Sequence, residues 1–304
     1  ITDRRAVRRA VAGVERVFHL AARSTLRSRE SDRIFEINVG GTALLAAEAL
    51  AAGVERFVHT SSVAAIGPAP SGGRADETQP FTIGHLGVAY INSKHEAEAE
   101  VLRAAARGLD VVIVNPTFTL GPPLGPTRSM SIGLVRRFLE RSIPAYVDGG
   151  LNIVDARDVA AGHLLADERG RRGERYILGG RNFTMQRLFA DLSRISGVPV
   201  PPLRLSPWIA TGGAQAAEAV GLDVGLSVDQ VRSASLWWTY SSAKAKRELD
   251  FTARPHEETL EATVAAVIDQ AGEAGGPTGA TGATGAALDL AGRAGRLARR
   301  LWPR

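Results

Sequence analysis

Three short apolar runs, residues 14–22, 54–62 and 109–115, most constrain how this chain can fold. Each is rich in valine, isoleucine or phenylalanine. Each passes into small or polar residues: His19-Leu20-Ala21-Ala22, Thr60-Ser61-Ser62 and Asn115-Pro116-Thr117. Longer stretches with helical patterning lie between them. Residues 34–52 are apolar-periodic and are closed by Gly53, and an alanine- and glutamate-rich segment runs from Tyr90 to about Arg107. Continuous apolar strands that alternate with helices predict an α/β fold with a parallel sheet covered on both faces. Such sheets bind ligands beyond the carboxyl ends of their strands.

The remaining segments follow from caps and breakers. Residues 2–13 read as a basic helix, capped by Thr2 or Asp3 and ended by Gly13. Residues 23–33, 67–87 and 116–127 read as loops, and 129–141 as a helix. After Pro144 the pattern changes. Strands are predicted at 151–154 and 175–178, helices at 155–166 and 185–196, and an extended stretch at 199–205. Further helical segments are predicted at 211–220, 242–249 and 256–271. Residues 272–285 have the glycine, alanine and threonine content of a linker. Residues 286–304 can form a basic amphipathic tail with Leu290, Ala294, Leu297 and Leu301 on one face.

Composition narrows the function classes. With 304 residues and 44% hydrophobic content the chain can bury one large core or two smaller ones. It has no cysteine, which excludes disulfides, thiolate nucleophiles and cysteine-ligated metals. No histidine or carboxylate spacing suggests a metal site. The net charge of +5 resembles a nucleic-acid signal, but residues 287–304 contribute five arginines against Asp289. The body is nearly neutral, so no nucleic-acid partner is expected. No run is read as a membrane span. With no secretory signal the expected location is the cytoplasm, with peripheral membrane contact through 286–304 as an addition.

Tyr90 and Lys94 are the chemical centre of this reading. Four residues apart on a helix, they share a face. A nearby ammonium favours the phenolate and lowers the tyrosine pKa. Such a phenol exchanges a proton with an alcohol or a carbonyl. A hydroxyl at the end of the 54–62 strand is placed to bind the same substrate oxygen. No Gly-x-Ser-x-Gly elbow supports a serine hydrolase.

Six stretches in order carry a resemblance: 17–22, Asn38-Val39-Gly40-Gly41-Thr42, 57–62 with Gly67, Tyr90-Ile91-Asn92-Ser93-Lys94, 115–122 and 152–160. Together they resemble an extended short-chain dehydrogenase/reductase of the NAD-dependent epimerase/dehydratase superfamily. The dihydroflavonol-4-reductase-like and hopanoid-associated sugar epimerase-like branches are the most similar. The resemblance covers roughly residues 1–270. It implies a Rossmann-like doubly wound sheet over 1–150, a smaller mixed α/β substrate-binding part over 151–271, and NAD or NADP as cofactor. Its implied reaction is hydride transfer to or from a carbonyl or secondary alcohol, with a nucleotide sugar as one substrate class.

The resemblance also implies roles. Tyr90 would be the general acid/base, Lys94 its partner at the nicotinamide ribose, and Ser62 the group polarising the substrate oxygen, with Ser61 as the alternative. His19, Leu20, Ala21, Thr60 and Ser61 would line the dinucleotide, and Asn115, Pro116 and Thr117 would sit by the nicotinamide. His85, Asn92, Phe118 and Arg157 are substrate-pocket candidates beside Ser62. Asn38 would brace loops, while His95 and His163 would serve surface or packing roles. A homodimer through the helices at 34–52 and 90–107 is also implied.

One departure stands out. The family opens on Thr-Gly-x-x-Gly-x-x-Gly, whose backbone amides hold a pyrophosphate. Here Thr2-Asp3 resembles a later turn, and the first residue is isoleucine. The expectation is a chain lacking the glycine-rich segment, with weakened cofactor binding and an open sheet edge. The run from Thr278 to Gly285 imitates the motif's spacing, but no strand pattern precedes it, so it reads as linker. The alternative function is a catalytically impaired fold remnant that binds a partner or a membrane.

Overall fold

The computed structural model describes residues 1–25, 30–123, 125, 129–147, 149–219 and 228–274. The end of the linker and the basic tail lie outside these residues, as does the run from Thr278 to Gly285.

The first half builds one sheet. Helix α1 (Arg4–Val11) starts at Asp3, whose carboxylate accepts the Arg5 and Ala6 amides at 2.8 and 3.2 Å. It leads to strand β1 (Arg16–His19). Helix α2 (Ser31–Phe35) passes through a π-helical turn, Glu36–Gly41, into α3 (Thr42–Ala52). Gly53 closes α3 in the left-handed conformation that glycine adopts without a Cβ clash. Strand β2 (Arg56–Thr60), helix α4 (Ala89–Ala106) and strand β3 (Val111–Pro116) follow.

The chain then builds a second layer and returns to the first. Strand β4 (Phe118–Leu120), α5 (Met130–Leu139), β5 (Ala145–Val147) and β6 (Gly150–Asp155) precede α6 (Ala156–Arg169) and β7 (Arg175–Leu178). Next come β8 (Arg181–Thr184), α7 (Met185–Ser196), β9 (Leu203–Leu205) and α8 (Pro207–Ala219). The described chain ends with α9 (Val228–Ala234), β10 (Trp237–Trp238), α10 (Ala243–Leu249) and α11 (His256–Ala274).

The main sheet is parallel, in the order β1-β2-β3-β7. One face carries α1, α3 and α4, whose Val7, Val11, Ala46, Ala49, Val101 and Ala104 pack on Phe57, Val111 and Ile113. The other carries α6 and α10, whose Ala166, Ala245 and Leu249 pack on Val58, Val112, Val114 and Tyr176. Alternate strand residues thus feed opposite faces, and both are buried, as the apolar runs require. The sheet continues past residue 150, since β7 is its fourth strand. Strand β1 is an outer strand, with Phe18 38% and Leu20 58% exposed near its end. A separate sheet, β10-β6-β4 with β8 antiparallel to β6, packs with α5, α7 and α11 around Leu120, Phe138, Ile153, Phe189 and Leu260.

Several expectations are corrected here. The segment 116–127 is not all loop, because Phe118–Leu120 pairs in register with Ile153, Val154 and Asp155. Strands β8 and β10 and helix α9 were not expected. Helix α8 begins at Pro207, ahead of the expected 211, with proline at a first-turn position that needs no N–H donor. Helix α11 extends through Gly272, into the expected linker. Ser31–Ala52 reaches the length and apolarity of a membrane span, with a hydropathy of 1.4, against the expectation that no run would. In the fold, its Leu45, Ala46 and Ala49 pack on α1 and the sheet.

Candidate active site

Parallel strands end on one side of the sheet, so His19, Thr60-Ser61-Ser62 and Asn115-Pro116-Thr117 gather at one edge. After β2 the chain turns sharply. Ser62 is extended, and its Oγ accepts the Ala64 amide at 3.1 Å, capping the short 3₁₀ turn Val63–Ala65. Gly67 ends that turn at φ +100°, a value side chains with a Cβ rarely adopt. The buried Tyr240 hydroxyl, from far along the chain, donates to the Gly67 and Val63 carbonyls at 2.7 and 3.3 Å.

Helix α4 brings Tyr90 to this turn. The half-buried phenol comes close enough to the Ser62 side chain for that hydroxyl to oppose the rise of its pKa. The Ser93 hydroxyl donates to the Tyr90 carbonyl at 2.9 Å and accepts the Asn38 amide at 2.9 Å. Asn38 also pairs with the Arg23 backbone in both directions, at 2.7 and 3.1 Å. It therefore braces the loop after β1 against α4. One turn beyond Tyr90, the buried Lys94 ammonium donates to the Thr60 carbonyl at 2.9 Å.

Electrostatics correct one expectation. Burial raises the Tyr90 phenol above its ordinary value, and only the Ser62 hydrogen bond opposes this. No lowering by Lys94 enters. Lys94 itself is pulled down to about 8 by burial, against the Glu98 carboxylate, which raises it. Burial and the Lys94 charge hold the His19 imidazole at about 4, and they push buried His59 well down too. His19 Nε2 lies 2.8 Å from the Thr42 hydroxyl.

The structure gathers most of the expected residues. Buried Ser61 Oγ, Asn115 Oδ1 and Thr117 Oγ1 have no hydrogen-bond partner. Orphaned polar atoms of this kind at strand ends fit the carboxamide and ribose end of a nicotinamide nucleotide. Leu20 and Ala21 are exposed beyond β1. The sequence over residues 20–30 has no glycine, so it offers no glycine-rich turn to a pyrophosphate. Thr60 turns its hydroxyl to His163 Nε2 at 2.7 Å, while His163 Nδ1 donates to the Val159 carbonyl at 2.7 Å. His95 stacks on Phe81 at 4.0 Å.

Other candidates are spread wider. Asn92 donates to the Gly84 carbonyl at 3.1 Å and leaves its buried Oδ1 unpartnered. His85 is exposed and reaches the Thr82 carbonyl. Phe118 packs on the second core. Arg157 is held by both Asp155 oxygens and lies 3.4 Å from Glu258, away from the phenol's partners. Three residues missed in the sequence are Tyr240, Trp238 and Glu98. Trp238 packs against the same buried cluster as Tyr90, formed by Ala64, Ile83, Val88 and Ile91, and its pairing with the β6 region gave no local signal. Among the described residues no group of three or more His, Asp or Glu side chains is arranged for a metal ion.

A parallel sheet covered by helices on both faces, with polar residues gathered at the carboxyl ends of its strands, defines a Rossmann-like class. Residues 1–179 match the NAD dependent epimerase/dehydratase family, and the chain belongs to it. That family is one of NAD(P)-dependent enzymes. A dihydroflavonol 4-reductase-like protein of Synechocystis sp. is 43% identical over 246 residues, 78% of this chain and 71% of that protein. The sterol demethylase protein B of Methylococcus capsulatus is 38% identical over 70% of this chain and 64% of its own length. The crystal structure of gox2253 superposes with a TM-score of 0.76 at 36% identity, covering 88% of this chain and 83% of that one.

Proposed function

We propose that this protein is an NAD(P)-dependent oxidoreductase that reduces a carbonyl, or oxidises the corresponding secondary alcohol, at a Ser62-Tyr90-Lys94 site. The observation that carries the reading is buried Lys94, one helical turn from Tyr90, bound at 2.9 Å to the Thr60 carbonyl of the strand that leads into Ser62. Ser62 and Tyr90 together hydrogen-bond the substrate oxygen. Tyr90 gives a proton to that oxygen during reduction and takes one during oxidation. Its raised pKa keeps the phenol protonated at neutral pH, the form that donates the proton during reduction.

The cofactor supplies or accepts the hydride when bound. Lys94 and Thr60 would hold its ribose, and Ser61, Asn115 and Thr117 its carboxamide end. His19, next to Leu20 and Ala21, would line the side toward β1. What supports this placement is the set of buried hydroxyl and amide oxygens without partners.

A carbonyl compound with an apolar body is the preferred substrate class. Tyr90 packs against an apolar cluster of Ala64, Ile83, Val88 and Ile91 that Phe81, Leu86 and Trp238 also join, and the name of the Synechocystis relative points the same way. A nucleotide sugar is the second class. It needs cations for its diphosphate, and the Arg157 candidate is already committed to Asp155 and Glu258. The test is deuterium transfer. The full-length protein is incubated with 4-deuterated NADPH or NADH and a panel of ketones and aldehydes. Deuterium on the new carbinol carbon supports the reading. Failure of either cofactor to bind at millimolar concentration overturns it, in favour of a non-catalytic binding module.

A further inference from the structure

Glu98 lies one turn beyond Lys94 on α4, and it is only 3% exposed. A carboxylate buried this deeply is costly unless each oxygen is paired. Here each oxygen is. Oε1 accepts the Asn115 side-chain amide at 2.6 Å, and Oε2 accepts Arg175 Nη1 at 3.2 Å. The same Asn115 amide donates to the Ser62 carbonyl at 3.0 Å, so its carboxamide plane is fixed from two sides. That leaves Asn115 Oδ1 buried and unpartnered at the end of β3. Arg175 in turn donates through Nε and Nη2 to the Glu77 carbonyl at 3.0 and 2.6 Å, and the Glu77 carboxylate accepts the Ile177 amide at 2.8 Å. A continuous polar chain thus runs from the Ser62 turn through Asn115 and Glu98 to Arg175 at the start of β7.

We propose that Glu98 is a positioning residue of this site, orienting the Asn115 amide beneath Ser62 and supplying the counter-charge of the Lys94 ammonium. The inference rests on the reading of Lys94 as the cofactor-holding partner of Tyr90. The geometry explains why the charge is needed. Lys94 is buried, its ammonium donates to a neutral carbonyl, and the side chains facing it from β1 and β2 are the imidazoles of His19 and His59. On its own helix Tyr90 is neutral, and Glu98 is the acid that raises Lys94. Arg175 shares the same carboxylate, so it draws part of the negative charge away from Lys94. Glu98 and Arg175 therefore act on Lys94 with opposite sign.

That opposition is the test. The chain has three lysines, Lys94, Lys244 and Lys246, so selectively ¹³Cε-labelled lysine gives a spectrum in which Lys94 is assigned by its loss in Lys94→Arg. The titration midpoint of Lys94 is then followed by NMR in the full-length protein. Glu98→Gln keeps an acceptor for Asn115 and removes the charge together with the acceptor that meets Arg175. It is expected to lower the Lys94 midpoint by about one pH unit, as loss of an opposite charge one helical turn away does. Arg175→Gln is expected to raise it. A purely structural role moves neither midpoint in a signed way. Unmoved midpoints, or shifts of the same sign in both variants, overturn the proposal. If Glu98→Gln does not fold, the direction of the Arg175→Gln shift decides. Full activity of Tyr90→Phe would instead overturn the underlying reading of the site while leaving these midpoints valid.

Discussion

The Lys94 ammonium and the Thr60 carbonyl, 2.9 Å apart, fasten the helix that carries Tyr90 to the strand that leads into Ser62. The bond crosses from α4 to the end of β2, so it sets the distance between the phenol and the serine turn. Around it the site is held by groups distant in sequence. Asn38 braces the amino-terminal side, Asn115 and Glu98 the sheet side, and Tyr240 the turn after Ser62.

Replacing Lys94 by methionine removes the charge and the bond but keeps the apolar stem in place. If Lys94 holds the ribose as proposed, the expected outcome is a loss of NADPH and NADH affinity of about tenfold or more, the effect of losing a charge-assisted hydrogen bond. Cofactor fluorescence titration measures it. Affinity equal to wild type would remove Lys94 from the nucleotide site.

Tyr240→Phe deletes the donor that holds the Val63 and Gly67 carbonyls. The Val63 carbonyl keeps the Ile66 and Gly67 amides, so the loss falls on the Gly67 carbonyl, and leaving one buried acceptor unpaired costs about 1–3 kcal/mol. Urea denaturation should show that loss, and turnover should fall with it because the Ser62 turn loosens. A variant as stable as wild type would show that the Gly67 carbonyl does not depend on this hydroxyl.

Acid should unfold the protein earlier than its carboxylates alone require. His19 titrates at about 4 in the fold against an ordinary 6.5, and burial lowers His59 and His163 in the same direction. In this window the unfolded chain binds more protons than the folded one, so stability drops as pH falls from about 6.5 towards 4. His19 alone accounts for about 3 kcal/mol. His59→Phe, whose ring nitrogens have no partners to lose, should flatten that slope in thermal melts recorded across the window. An unchanged slope would mean that His59 is not held neutral.

Gly179 joins the two sheets where β7 leads to β8. A Cβ there would lie 2.8 Å from Asn152 Oδ1, 2.9 Å from Ser242 Oγ and 3.0 Å from Thr117 Cγ2. Gly179→Ala should therefore destabilise by about 1–3 kcal/mol through overpacking. Because one of those contacts is Thr117, cofactor affinity should also weaken. Differential scanning calorimetry and cofactor titration read the two effects separately.

Much of this arrangement was legible in the sequence because it is local. The buried strands β1 to β3 are unbroken apolar runs with small residues at their ends, and Tyr90 and Lys94 sit at helical spacing on one element. The shorter strands were not legible. Trp237–Trp238 and Phe118–Leu120 are too short to show a period and exist only because β6 pairs with both. The π-helical turn at Glu36–Gly41, which carries Asn38, has no sequence signature of its own. The sign of the Tyr90 shift was misread for the same reason, since spacing reveals a neighbouring charge but not the burial that outweighs it. Glu98 and Tyr240 act through partners on other elements, so no local pattern announces them.

The measurement that bears most directly on the account is the rate of NADPH or NADH oxidation by full-length Tyr90→Phe, with a ketone that the wild type reduces. The account predicts a rate lower by about 10²-fold or more, because the proton donor is gone, with cofactor affinity within about twofold of wild type. A Tyr90→Phe enzyme that turns over at the wild-type rate would contradict it.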